Sequence, residues 1–271
     1  FEVWVGGGLG RTPMIGKKIR DFVAKPDLLA YLEAILRVYN MLGRRDNMYK
    51  ARIKILVHET GVEEFTRLVE DEFKDTQGGE LDLPAEEIER IAAYFAPPSY
   101  EALEDDPQAL TAHRFENKAF NNWVRINVAQ HKQPGYAIAN ISLKPVGVPP
   151  GDMTADQMDV AADLAEKYSL DSIRVTHEQN LVLSDVRQDQ LFDLWQDLAE
   201  AGLADANLDH IGDIICCPGL DYCNLATARS IPVAQNIAEK FGDPALQERI
   251  GPLSIKISGC INACGHHHIG H

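Results

Sequence analysis

Five cysteines constrain this chain of 271 residues more than any other feature. None occurs in residues 1 to 215, and then Cys216, Cys217, Cys223, Cys260 and Cys264 crowd into 49 positions. Such clustering asks for a local cause. A disulfide framework is a poor one: the count is odd, and the opening Phe1-Glu2-Val3-Trp4-Val5 carries no basic leader. A metal or cluster site, a redox pair and small buried thiols remain. Cys217-x5-Cys223 and Cys260-x3-Cys264 are two ligand pairs separated by 36 residues, and four thiolates at one locus suit either tetrahedral zinc or an iron–sulfur cluster. Zinc knuckles favour closer spacing, so the wide first pair leans toward the larger cubane. Cys216 is left over and reads as a packed thiol.

With 45% apolar and 25% charged residues the chain is globular, not disordered or fibrous. A net charge of −15 argues against a nucleic-acid-binding surface. No run of about 18 apolar residues suggests a membrane span, and a cytoplasmic setting is expected. Charge is unevenly spread: residues 1–57 hold 11 Lys/Arg against 5 Asp/Glu, and residues 58–112 hold 3 against 16. The acidic block reads as a solvated helical face.

Pattern divides the chain. Phe1 to Val5 reads as a strand entering Gly6-Gly7-Gly8-Leu9-Gly10, a loop whose amides could face an anion but which lacks the phosphate-loop and dinucleotide signatures. Helices are expected over Pro26–Leu42, with an apolar stripe at Leu28, Leu29, Leu32, Ile35, Leu36 and Tyr39, and over Val62–Phe73 and Ala85–Tyr94. Pro97-Pro98 and Glu104-Asp105-Asp106-Pro107 read as a boundary. Beyond it, Trp123–Val128 and Tyr136–Leu143 alternate like paired strands around Pro134-Gly135. Thr154 caps a helix to Tyr168, with Met158, Val160, Ala161 and Leu164 facing inward. Strands at Ser172–Val175 and Leu181–Leu183 and a helix over Gln188–Ala201 complete a β-β-α-β-β-α unit. A helix over Asn224–Phe241 and a strand over Pro252–Ser258 follow, the strand running straight into Gly259-Cys260.

Cys217-Pro218-Gly219-Leu220-Asp221-Tyr222-Cys223 with Cys260-Ile261-Asn262-Ala263-Cys264-Gly265 resembles the C-x5-C…C-x-N-x-C signature of siroheme-dependent sulfite and nitrite reductases. Val5 to Gly10 is similar to the glycine-rich segment ending that family's first siroheme-fold repeat, and Gly43-Arg44-Arg45 through Ala51-Arg52-Ile53-Lys54 to the basic stretch after it. Residues from Asn122 to Leu203, including Arg174-Val175-Thr176-His177-Glu178-Gln179-Asn180, resemble the family's second ferredoxin-reductase-like half. The resemblance implies an α+β architecture in three parts. Residues 1–112 would form the C-terminal part of the first repeat with acidic helices, 113–205 the ferredoxin-reductase-like half-domain, and 206–271 the start of a second siroheme and [4Fe–4S] domain. It also implies a piece of a longer protein, with the substrate-facing arginines and lysines upstream of Phe1, so that the fragment is not expected to act alone.

The resemblance makes Cys217, Cys223, Cys260 and Cys264 ligands of a [4Fe–4S] cluster, with Cys264 also bridging to siroheme iron as the catalytic thiolate. The reaction would be six-electron reduction of a small anion, sulfite to sulfide or nitrite to ammonia, with electrons from ferredoxin or a flavoprotein. Gly6, Gly7, Gly8, Arg174, Thr176, Gln179 and Asn262 become cofactor-binding residues, since siroheme is rich in carboxylates; for Arg174 a structural salt bridge is the competing reading. His266, His267, His268 and His271 read as native sequence, not a tag, with imidazole ligation an alternative role. A non-catalytic zinc or iron–sulfur module on the same fold is the alternative function.

Overall fold

The computed structural model describes residues 1–269, and His271 lies outside the described residues. The chain divides between the two prolines of the boundary into compact units Phe1–Pro97 and Pro98–His271.

In the first unit β1 (Val3–Val5) pairs antiparallel with β2 (Lys17–Arg20). Helices α1 (Leu28–Leu42), α2 (Ile53–Thr60), α3 (Val62–Thr76) and α4 (Ala85–Ala93) follow. Gly61, at φ +84°, turns the chain sharply from α2 into α3. The core is Val3, Val5 and Ile19 from the strands against Tyr31, Ile35 and Val38 of α1 and Phe65, Val69 and Phe73 of α3. The stripe expected to seat α1 is corrected here. Ala30, Tyr31, Ala34, Ile35 and Val38 pack inward, whereas Leu29, Leu32 and Leu36 are exposed. The helix is apolar on both sides, so periodicity alone could not choose the face; the small Ala30 and Ala34 allow the closer approach.

The second unit opens with α5 (Gln108–Glu116) and α6 (Lys118–Asn127), followed by β3 (Val128–Gln130), β4 (Tyr136–Ile141), α7 (Ala155–Tyr168), β5 (Ile173–Val175), β6 (Leu181–Arg187) and α8 (Leu191–Glu200). The four strands form an antiparallel sheet in the order β3-β4-β6-β5. Gly135, at φ +78°, makes the β3–β4 turn, where an added Cβ would lie 2.4 Å from that of Leu103. Thr154 and Gln157 close a reciprocal capping box on α7. Ala139, Ile141 and Leu183 meet Phe120, Trp123, Leu164, Leu194 and Leu198 in the core. This α+β organisation agrees with the expected class.

Three local expectations fail. Trp123–Asn127 is helical, not a strand. Asn117 caps Phe120 N, and Phe120, Trp123, Val124 and Asn127 are buried at helical spacing, so the 3.6-residue period over the longer window outweighs the short alternation; the strand begins only at Val128. Met158 is exposed, while Ala161 and Leu164 do pack inward. Helix α9 (Ile231–Lys240) begins at Ile231, not Asn224. The preceding amides are used elsewhere: Thr227 N and Ala228 N both donate to Gly259 O. After α10 (Pro244–Ile250), the last strand, β8 (Lys256–Ile257), is two residues long and runs parallel to β7 (Ile215–Cys216).

Candidate functional site

Parallel pairing of β7 with β8 brings the two cysteine motifs together. Ile215 N donates to Ile255 O and Cys217 N to Ile257 O, each at 3.0 Å, so both strands deliver their motifs at the same end of the sheet. The first loop turns at Gly219, φ +59°, where a Cβ would meet Ser230 Oγ at 2.2 Å. Gly259 packs on it, its own added Cβ 2.9 Å from Gly219 Cα. A Cβ at Gly265 would lie 1.9 Å from Ile257 O. Side chains at these positions would push the loops apart.

Cys217 and Cys216 have opposite environments. Cys217 Sγ accepts the Gly259 amide at 3.0 Å and lies 3.6 Å from Ser230 Oγ. Burial pushes its thiol up, but the Gly259 amide, the Ser230 hydroxyl and the Gly219 amide outweigh that and leave it below the ordinary value. Cys216 is 2% exposed among Ile214 and Ala234, donates to Cys217 O at 3.2 Å, and is pushed up to about 11, chiefly by burial. Cys223 and Cys260 are half-buried, Cys264 is exposed, and none of the five is in a disulfide. The set is four soft thiols on glycine-pinched loops at one end of a parallel strand pair, with an amide already aimed at one sulfur. That donor chemistry fits an iron–sulfur cluster. Among the described residues, no three His, Cys, Asp or Glu side chains stand close enough to hold a single metal ion.

The other candidates fall into separate surroundings. In the first unit, Gly6 has φ +81°, and its added Cβ would lie 3.0 Å from that of Val57. Gly7 faces Gly16 N at 3.1 Å in the same sense, and Gly8 faces Arg52 Nη2 at 2.6 Å. The Gly8 amide is bonded to Met14 O at 3.0 Å. Lys54 donates to Leu9 O at 2.8 Å and Thr12 O at 2.7 Å, and Arg52 to Leu9 O at 3.1 Å. The basic residues thus hold the glycine loop through its carbonyls.

In the second unit, Arg174 is exposed on the edge strand β5, and Asn262 is exposed between Cys260 and Cys264. Thr176 closes a turn. Its N–H donates to Asn180 O at 2.9 Å, its carbonyl accepts Gln179 N at 3.1 Å, and its hydroxyl accepts Asn180 N at 3.2 Å. Gln179 directs its amide at Cys216, with Nε2 donating to Cys216 O at 2.8 Å and Oε1 accepting Cys216 N at 2.9 Å. His177 stacks on His266, ring centres 5.8 Å apart. Sequence reasoning missed the buried support beneath this turn: Lys144, Asn180 and Asp213. Lys144 Nζ reaches Asp213 Oδ1 at 2.9 Å, and Asn180 Nδ2 reaches the same oxygen at 3.1 Å. No motif signals it, because its members come from three separate segments.

Comparison with known proteins matches two segments that lie outside the cysteine motifs. Residues 1–76 match the family model described as the nitrite and sulphite reductase 4Fe-4S domain, and residues 145–201 the nitrite/sulfite reductase ferredoxin-like half domain. The chain is 26% identical to "Sulfite reductase [ferredoxin] 2" of Mycolicibacterium paratuberculosis, over 97% of this chain and 41% of that protein. It is 28% identical to "Ferredoxin--nitrite reductase, chloroplastic" of Zea mays, over 98% and 41%. The solved structure titled "Structure of Mycobacterium tuberculosis NirA protein" shares the fold with a TM-score of 0.66 at 24% identity, over 97% of this chain and 42% of that one. The chain spans about two fifths of the length of these relatives. By these two matched segments, the chain is similar to the nitrite and sulfite reductase family.

Proposed function

We propose that this chain is part of an oxidoreductase that reduces sulfite to sulfide, or nitrite to ammonia, with Cys217, Cys223, Cys260 and Cys264 holding a [4Fe–4S] cluster and Cys264 shared with siroheme. The observation that carries this reading is the parallel β7–β8 pair, which sets C-x5-C and C-x3-C side by side. When bound, the coupled cofactors would supply low-potential electrons to the anion in successive steps. The chain's own residues do the holding. The Gly259 amide and the Ser230 hydroxyl favour the thiolate form of Cys217, and exposed Cys264 remains open to a second group. Gly6, Gly7, Arg174, Thr176 and Asn262 are proposed to meet siroheme; the exposure of Arg174 and Asn262 supports this for those two. The printed names of two relatives favour ferredoxin as donor over a flavoprotein. Five unpaired cysteines suit the reducing cytoplasm.

The test compares Cys264→Ser and Cys216→Ser in the holoprotein, reading iron content, the visible spectrum and sulfite and nitrite turnover. A serine hydroxyl is a harder, weakly acidic ligand, so Cys264→Ser should lose iron and the siroheme coupling. Cys216→Ser should retain both. Full iron in Cys264→Ser, or iron loss confined to Cys216→Ser, would overturn the assignment.

A further inference from the structure

Gln179 occupies a place that the cofactor reading does not explain. Its side-chain amide pairs with both backbone groups of Cys216, at 2.8 and 2.9 Å, as a neighbouring strand would. Strand β7 pairs through its main chain with β8, and Gln179 supplies these further bonds to Cys216 by side chain. The residue next in sequence is Cys217.

Three features are organised around this contact. Gln179 has φ +61°, a left-handed conformation that a non-glycine residue adopts only under strain. The Thr176–Asn180 bonds hold that conformation. Gly151, at φ +83°, lies beneath the side chain, and a Cβ there would come within 2.8 Å of Gln179 Cβ. Below the turn, the buried Lys144 donates to Glu178 O at 2.6 Å and to Asp213 Oδ1 at 2.9 Å, tying the turn to the segment that leads into β7. A strained residue, a glycine that leaves it room and a buried ion pair thus converge on one two-point contact with the strand that leads into a candidate ligand.

We infer that Gln179 is a positioning residue: its amide fixes the Cys216–Cys217 backbone and so presents the Cys217 sulfur to the cluster. The last step rests on the cluster reading above; the backbone clamp does not. Gln179→Leu removes both bonds at similar volume. Gln179→Glu retains an acceptor for Cys216 N but loses the donor to Cys216 O. Asn117→Ala, which removes the side-chain cap of α6, controls for general loss of stability.

Two measurements decide it. Amide hydrogen exchange of the full chain without iron, read on the peptide containing Cys216 and Cys217, should speed up about tenfold in Gln179→Leu, less in Gln179→Glu and not at all in Asn117→Ala. In iron-loaded protein, release of iron to a chelator should follow the same order, and the paramagnetic signal of the reduced cluster should shift in Gln179→Leu. Unchanged exchange in Gln179→Leu overturns the clamp. Faster exchange with unchanged iron release and signal overturns the positioning role. If the wild-type protein takes up no iron, the cluster reading fails, and the exchange measurement alone decides the clamp.

Discussion

Replacing Lys144 by methionine probes how the segment before the cysteines is anchored. The Lys144 side chain is 1% exposed and that of Asp213 5%. All three ammonium protons find acceptors: Asp213 Oδ1 at 2.9 Å, Asn180 Oδ1 at 3.2 Å and Glu178 O at 2.6 Å. Methionine retains most of the stem and deletes the charge. Asp213 then keeps only Asn180 Nδ2 and Asp209 N, both at 3.1 Å. Breaking a buried pair from one side costs about 3–5 kcal/mol, and the two surviving donors place Lys144→Met near about 3 kcal/mol. Asp213→Asn strands the ammonium among neutral oxygens and should cost at least as much. The double variant buries no unpaired charge, so its loss should fall short of the sum by about 2 kcal/mol. Urea unfolding of the full chain, followed by tryptophan fluorescence, reads this out, because buried Trp123 and half-buried Trp195 both lie in the second unit. Single losses under about 1 kcal/mol, or strict additivity, would refute the reasoning.

Other perturbations have equally definite outcomes. The Tyr100 phenol donates to Asp185 Oδ1 at 2.6 Å and is pushed up from 10.0 to about 12 by that bond, then by burial and the carboxylate charge. The fold therefore favours the protonated phenol: its contribution is complete below 10 and is lost as pH rises toward about 12. Tyr100→Phe should cost about 1.5–3 kcal/mol at neutral pH and flatten this part of the stability curve, and urea midpoints that decline identically in both proteins between pH 9 and 11 would contradict it. Thr154→Ala should lower stability by about 1 kcal/mol and Thr154→Ser restore most of it, checked by the same titration. In iron-free protein, alkylation followed by mass spectrometry should modify exposed Cys264 first and Cys216 last, given the latter's 2% exposure and raised thiol. Early labelling of Cys216 would contradict its placement in the core.

The sequence by itself displayed the two cysteine motifs, the family resemblance they carry and the elements whose signals are local. Thr154 and Gln157 name the start of α7 because a capping box lies within four residues. Tyr136–Ile141 forms a strand because turn and alternation agree. Trp123 was misassigned because a short alternating run fits both periods, and only burial of Phe120, Trp123, Val124 and Asn127 on one face decides for helix. Which side of α1 faces inward was likewise undecidable from an apolar helix. The tertiary structure alone assigned the partners of Gln179, Lys144 and Asp213. Cys216 and Gln179 stand 37 residues apart, and Lys144 and Asp213 69. Contacts at such separations depend on which strands the fold sets side by side. No local propensity encodes them, so the pairing of the Gln179 amide with the Cys216 backbone could not be read from the sequence.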